Sequence, residues 1–533
     1  MKHDRQRTTF PGRLVMLGFG SIGQAMLPVL PRELGIAPAR IRIVKPLPDE
    51  TGIAAQYGVE VITTALSEGN HEAVLEPLLG EGDFLLNLSV DVSSLALIRF
   101  CRKRGAFYLD TCNEPWPGRY DDPRLTPSQR SNYSLREEAL AFRLDKRSGP
   151  TAVLTQGANP GLVSAFTRRA LLDMAVQTGV KVDPPSCYEE WAALARQLQV
   201  KVIHIAERDT QTSSRRKERG EFVNTWSVEA FVDEGLQPAE LGWGSHERHW
   251  PGDAGRHGFG CDAAIYLNRP GIATRVRSWT PLEGPYHGFL VTHAESISIA
   301  DHLTLRENGQ VVYRPTVHYA YHPCDDAVLS LHELAGRNWQ LQHRQRIMRD
   351  EISSGVDELG VLLMGHPKGV YWYGSRLSID EARALVPHNN ATSLQVVAGI
   401  LGGMVWALRN PDAGLVEPDD LDHETVLQAA LPFLGEVVGQ WGDWTPLQGR
   451  SELFPEARRR TVAHPGPGAR DDVLPAAGRA VGGRATTRRH GPRNEDAHHF
   501  GEPGVTISPE PMPRPRCHSC DADGARPSKQ DER

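Results

Sequence analysis

Carboxylates at Glu207, Asp209, Glu229, Glu234, Glu240, Glu295 and Asp301 share one region of the chain with the indoles of Trp226 and Trp243. Separated acids suit the two ends of a flexible dication, and an aromatic face suits a positive charge held between them. That is the recognition chemistry of a diamine, and the acid-flanked run NTWSVEAFVDEG (Asn224 to Gly235) concentrates both features. An ammonium that is to react as an amine must first lose a proton, so such a site also needs a proton acceptor. His293, in VTHAES, has the side chain whose ordinary pKa lies nearest neutrality, with Glu295 two residues on as a partner or second acid. A substrate bearing an α-carboxylate would want an arginine clamp instead, and Arg208 and Arg275 are candidates for that.

A second constellation is GFGSIG, with Gly18, Gly20 and Gly23 placed where an apolar run ends and a helical pattern begins. The first glycine makes the turn, the second lets a pyrophosphate approach the backbone, and the third admits close helix packing. The helix N-terminus offers unpaired N–H groups to the phosphates. A dinucleotide site is expected. Its acid at the end of the second strand, which would hold ribose hydroxyls, is replaced by Lys45, a cation able to tolerate the 2′-phosphate of NADP. Asp49 in the following loop is the nearest substitute.

The elements that must position these residues follow from apolar patterning. RLVMLGFG (Arg13 to Gly20), IRIVK (Ile41 to Lys45), FLLNLSV (Phe84 to Val90), AFYLDT (Ala106 to Thr111) and TAVLTQG (Thr151 to Gly157) read as strands. Helical stretches such as SIGQAMLPVLPREL and SSLALIRFCRKRG lie between them. The alternation predicts a doubly wound α/β domain of Rossmann type over residues 1–160. Beyond it, ESISIADHLTL (Glu295 to Leu305) and VVYRPTVHYAY (Val311 to Tyr321) read as strands of a mainly antiparallel sheet in an α+β substrate domain, residues 161–454. The chain is expected to return to the first domain near its end. LQVVAGILGGMVWALRN (Leu394 to Asn410) reads as a buried helix. From Pro455 the sequence turns rich in Pro, Gly, Arg and His and reads as a disordered tail, residues 455–533. The lone CHSC at Cys517 to Cys520 lacks the second ligand pair of a zinc site, so no metal is expected.

At 533 residues the chain is long enough for two domains, and a formal charge of -7 leaves no basic surplus for nucleic acid. Seven scattered cysteines read as free thiols of a reducing cytoplasm. The N-terminal MKHDRQRTTFPGR lacks the apolar segment of a signal peptide, and no membrane association is expected.

GFGSIG, NLSVDVSSL, DTCNEPW and GANPGLVS together resemble the saccharopine dehydrogenase-like oxidoreductases. HIAERDTQ, FVNTWSVEAFVDEGLQPAELGWG, FLVTHAESISIAD, YRPTVHYAYHPCDDAVLSLHE and DELGVLL are similar, nearly word for word, to the bacterial homospermidine synthase branch of that group. The resemblance runs from about Leu14 to Leu453. It implies NAD as a prosthetic group held by Gly18, Phe19, Gly20, Ser21, Ile22, Gly23, Ser89, Asp91, Thr111, Ala158 and Asn159. It implies two putrescines as substrates, with spermidine as a further candidate, and a cytoplasmic homodimer. Hydride would leave the first diamine, the second amine would add, ammonia would depart, and the hydride would return. Glu114 and Asn159 would face the reacting carbon and inner amine, Trp226 the cationic intermediate, and Glu207 and Glu234 the outer amines. His293 with Glu295 would move the proton, and Asp357 is carried over by DELGVLL alone. The rivals are a saccharopine- or carboxynorspermidine-type dehydrogenase with net redox change, and a silent dinucleotide binder. The chain departs from the pattern at Lys45, at the basic loop SSRRKERGE after Gln211, and in the tail beyond Phe454.

Overall fold

The computed structural model describes residues 8–120, 122–145, 148–387 and 389–449. The tail from Pro455, with Cys517 and Cys520, lies outside the described residues.

Strands β1 (Leu14–Leu17), β2 (Ile41–Lys45), β3 (Glu60–Thr63), β4 (Phe84–Asn87), β5 (Phe107–Asp110) and β6 (Gly149–Val153) form one sheet in the order β3-β2-β1-β4-β5-β6. Every pairing in it is parallel. A seventh strand, Ala413–Val416, joins beside β6 from the far end of the chain, also parallel. Leu14, Met16, Phe84 and Leu86 on one face and Val15, Leu85 and Tyr108 on the other are fully buried, as a sheet covered on both faces requires.

The second sheet has the strand Val202–Asp209 at its centre. It runs parallel to Thr316–His322 on one side and antiparallel to Val356–Met364 on the other. The remaining pairings of that sheet are antiparallel. Two segments differ from their sequence reading. Val311 to Tyr321 is broken: Gln310–Tyr313 belongs to a small hairpin and Thr316–His322 to the main sheet, with Pro315 between them, a residue that has no N–H for a ladder. Glu295 to Leu305 is mostly the helix Ala294–His302, because every residue from Glu295 to His302 is buried. The polar and apolar alternation there marks no solvent face. Ser298 instead donates to Asp419 Oδ2 at 2.6 Å.

The helix Ala391–Arg409 is long and apolar enough to cross a membrane, but it is buried between the two sheets, as its composition predicts. Gln156 donates to the Gly399 carbonyl at 2.9 Å, and a Cβ on Gly399 would fall on the Gly157 carbonyl oxygen. This contact seats the turn that carries Asn159. Gly399→Ala should therefore cost about 1–3 kcal/mol by overpacking, visible as a lowered Tm. Unchanged melting would mean that the helix can shift freely against the turn.

Candidate active site

The segments that follow β5 and β6 reach the second half of the chain through Cys112, which meets Glu234, and Asn159, which meets Glu207. Gly18 has φ 82°, and an added Cβ would stand 2.5 Å from the Leu88 carbonyl oxygen. At Gly23 a Cβ would lie 3.1 Å from Gly18 O, so this glycine admits the helix Ser21–Leu34 against the turn. At Gly20, the N-cap of that helix, a Cβ would meet nothing within 4 Å. The space before the helix's free N–H groups is left for a ligand, which fits a pyrophosphate. Ser21 and Ile22 open the helix, while the Phe19 side chain is buried in the core and only its backbone belongs to the turn. Ser89 follows β4, held by Asn87 Oδ1 at 2.6 Å, and Asp91 is exposed with φ 61°. Thr111 follows β5 and abuts Gly157, beside Ala158 and Asn159.

Glu207 lies buried on the central strand, opposite Tyr321. Its Oε2 accepts from Asn159 Nδ2 at 2.8 Å and from Tyr319 OH at 2.5 Å, tying the turn after β6 to the second sheet. Tyr319 stacks on Tyr321 at 5.1 Å, and Tyr321 OH accepts from Trp226 Nε1 at 3.0 Å. Tyr319 also packs 4.4 Å from the His293 ring. His293 stands before the helix Ala294–His302, with Nδ1 3.2 Å from Glu295 Oε1 and Nε2 3.3 Å from Glu234 Oε2. Both ring nitrogens face carboxylates, which accept only, so the ring is held as imidazolium. Burial opposes this charge, but Glu295 and Glu234 outweigh it and raise the pKa to about 10. Glu234 Oε1 lies 3.9 Å from Cys112 Sγ, and Cys112 in turn hydrogen-bonds Glu114. Burial, with Glu234 and Asp91 adding repulsion, raises Glu114 to about 8. A cavity of about 390 Å³ lies beside Glu114, lined by Trp116, Arg119, Arg124 and Glu138 and by none of the other residues assigned to chemistry.

All eight residues assigned to chemistry are thus linked. Asp357 enters through the sheet: it pairs with Asp209 across the strands, and Thr392 donates to Asp357 Oδ2 at 2.6 Å. Burial and mutual repulsion raise Glu207, Asp209 and Asp357 together. Three further acids stand apart from the site. Glu240 caps the helix Asn132–Asp145 through the backbone N–H of Asn132 at 3.0 Å, Asp301 pairs with Arg136 at 3.0 Å, and Glu229 is exposed. Trp243 packs on Trp250 rather than on the site. Neither arginine makes a clamp. Arg208 turns to Asp325 at 3.2 Å, and Arg275 lies over the Phe289 ring. Tyr319, Tyr321, Cys112 and Thr392 escaped the sequence reading. The spacing of the two tyrosines, both on one face of a strand, was the available signal.

The raised acids set a pH trend. A carboxyl whose folded pKa lies above its unfolded value binds more protons when folded, so stability falls as pH rises between the two values. Asp110 (about 6), Glu240 (about 7) and Glu114 (about 8) act this way, all through burial. His293, raised to about 10, adds stability that is full below its unfolded pKa and is lost as pH climbs through the folded one. The Tm should therefore fall from pH 6 to pH 9, and a bound dication should restore it most at the alkaline end. A flat profile would show that these acids titrate normally.

Two family models match the chain: the saccharopine dehydrogenase NADP binding domain over residues 14–153, and the saccharopine dehydrogenase C-terminal domain over residues 157–443. A homospermidine synthase of Blastochloris viridis is 54% identical over 449 residues, 84% of this chain and 94% of its own length. Another from Mesorhizobium japonicum is 49% identical over 452 residues, 84% of this chain and 93% of its own. The crystal structure of the Legionella pneumophila homospermidine synthase, in complex with NAD, is similar with a TM-score of 0.79 and 48% identity, covering 85% of this chain and 97% of that one. With the glycine turn, the acid pocket and their connection in place, the chain belongs to the saccharopine dehydrogenase family, among its homospermidine synthases.

Proposed function

We propose that this chain uses NAD to join two putrescine molecules into homospermidine with release of ammonia. One observation carries the reading: Glu114, Glu207, Glu234, Glu295 and Asp357 are gathered around one site, and His293 is the one cation in ion-pair contact with them among the described residues. A pocket so rich in acid, with Arg208 and Arg275 turned elsewhere, selects a cation over an α-amino acid. This disfavours the saccharopine-type rival.

When bound, the nicotinamide supplies a hydride acceptor that gives the same hydride back, so the cofactor is not consumed. The residues must do the rest. Deprotonating an alkyl ammonium at pH 7 costs about 4–5 kcal/mol. Glu207 and Glu114, both raised by burial, are matched to take that proton. Loss of that proton and of hydride from the adjacent carbon leaves an iminium ion. The second amine adds to that carbon and gives up a proton to the acids, the leaving nitrogen takes one proton from them and departs as ammonia, and the returned hydride reduces the new iminium to the secondary amine. His293, as imidazolium, fixes Glu234 and Glu295 for the outer amine rather than serving as the free base its ordinary pKa suggests. Trp226 covers the iminium charge. Spermidine as the second amine, a cytoplasmic setting and a homodimer complete the reading; the resemblance supports all three, and thiols outside any disulfide at Cys101, Cys112, Cys261 and Cys324 fit a reducing compartment.

Putrescine with substoichiometric NAD should give many equivalents of homospermidine and ammonia per cofactor, with flat nicotinamide absorbance. Product capped at one equivalent, with rising absorbance, would move the chain to a dehydrogenase. No product would leave a silent binder.

A further inference from the structure

The adenosine end of the dinucleotide site carries a cation where its reading residue should be an acid. Gly18 N donates to Val44 O at 3.0 Å, so the glycine turn is tied to the end of β2 and the next residue, Lys45, stands beside it. This is where an Asp or Glu about twenty residues beyond the glycines accepts the ribose 2′-hydroxyl of NAD and repels a 2′-phosphate. Lys45 can do neither. Its ammonium donates to Pro48 O at 3.3 Å, and among the described residues no carboxylate lies within ion-pair distance of it, Asp49 feeling its charge only at longer range. Asp49 does not replace the missing acid. Its Oδ1 accepts from Thr51 N at 3.1 Å and Thr51 Oγ1 at 2.6 Å, and its Oδ2 from Ala54 N at 3.2 Å, which closes the loop on itself.

We infer that Lys45 opens this site to NADP, its ammonium pairing with the 2′-phosphate, so that NADP and NAD bind with comparable affinity. This rests on the reading that the glycine turn holds a dinucleotide. Because the hydride is returned in each turnover, the separate redox poise of the two nucleotide pools places no demand on the choice. The 2′-phosphate sits at the opposite end of the cofactor from the nicotinamide, so the acid pocket is untouched by it.

The test is calorimetric titration of the full chain, freed of bound nucleotide, with NAD and with NADP. The two dissociation constants should lie within about tenfold of each other, and Lys45→Asp should weaken NADP relative to NAD by about thirtyfold. NADP binding should also decline more steeply with salt, as an ion pair at the surface does. Lys45→Ala, which removes the charge without reversing it, should fall between. A wild-type preference for NAD beyond a hundredfold, with a ratio that Lys45→Asp leaves in place, would overturn the inference while the dinucleotide site stands. Failure of both nucleotides to bind would instead remove the site itself, and the inference with it.

Discussion

Glu207→Gln should lower putrescine turnover by about a thousandfold while leaving NAD affinity within about twofold. Glutamine keeps the volume and can still accept from Tyr319 OH, which now approaches Glu207 Oε2 at 2.5 Å. What is lost is the charge. Glu207 is buried, and a substrate ammonium drawn against it leaves water entirely; an unpartnered buried cation costs about 3–5 kcal/mol. The proton acceptor disappears with the charge, because an amide has no acidic form to exchange. Calorimetry with NAD and a quantified homospermidine assay separate the two properties, since the glycine turn has no contact with this side chain. A variant within tenfold of wild type would leave Glu114 as the proton acceptor and make Glu207 a structural tie between Asn159 and the second sheet.

The second large effect is expected at Trp226. Trp226→Ala should reduce turnover about a hundredfold: cation–π attraction worth about 2 kcal/mol in a water-excluded site accounts for most, and the lost hydrogen bond for the rest. That bond runs from Trp226 Nε1 to Tyr321 OH at 3.0 Å, and Tyr321 stacks on Tyr319, the donor to Glu207. The indole therefore also steadies the aromatic wall behind the carboxylate. Trp226→Phe keeps a ring face without the N–H and should recover part of the loss. The diagnostic is a fall in the catalytic rate constant with cofactor affinity unchanged. Near-normal turnover in the alanine variant would remove the cation–π role.

The glycine turn was legible because its chemistry is local: φ 82° at Gly18 and the close approach at Gly23 are demands on single residues, met within one strand–turn–helix unit. The parallel sheet was legible for a related reason, since fully buried strands appear as short apolar runs whatever lies beyond them. The strand reading of Glu295 to Leu305 failed because periodicity reports exposure, and a helix buried on every side has no solvent face to report. The acids show the same boundary. Glu207, Glu229, Glu240 and Asp301 are alike as residues in a sequence. Only packing decided that Glu207 meets Asn159 and Tyr319, that Glu240 caps a helix, that Asp301 answers Arg136 and that Glu229 faces water.

The protonation of His293 was likewise beyond the sequence. Glu295 was visible as a neighbour, but Glu234 is 59 residues away and arrives at the other ring nitrogen only through the fold. With one carboxylate the ring could still act as a base; with two it stays charged. By itself the sequence determined the cofactor turn, the class of both domains and the acid and aromatic residues available to a cation. Tertiary structure decided which of those residues meet and what charge they carry, because a pKa in a buried site depends on neighbours from distant segments and on the water they exclude.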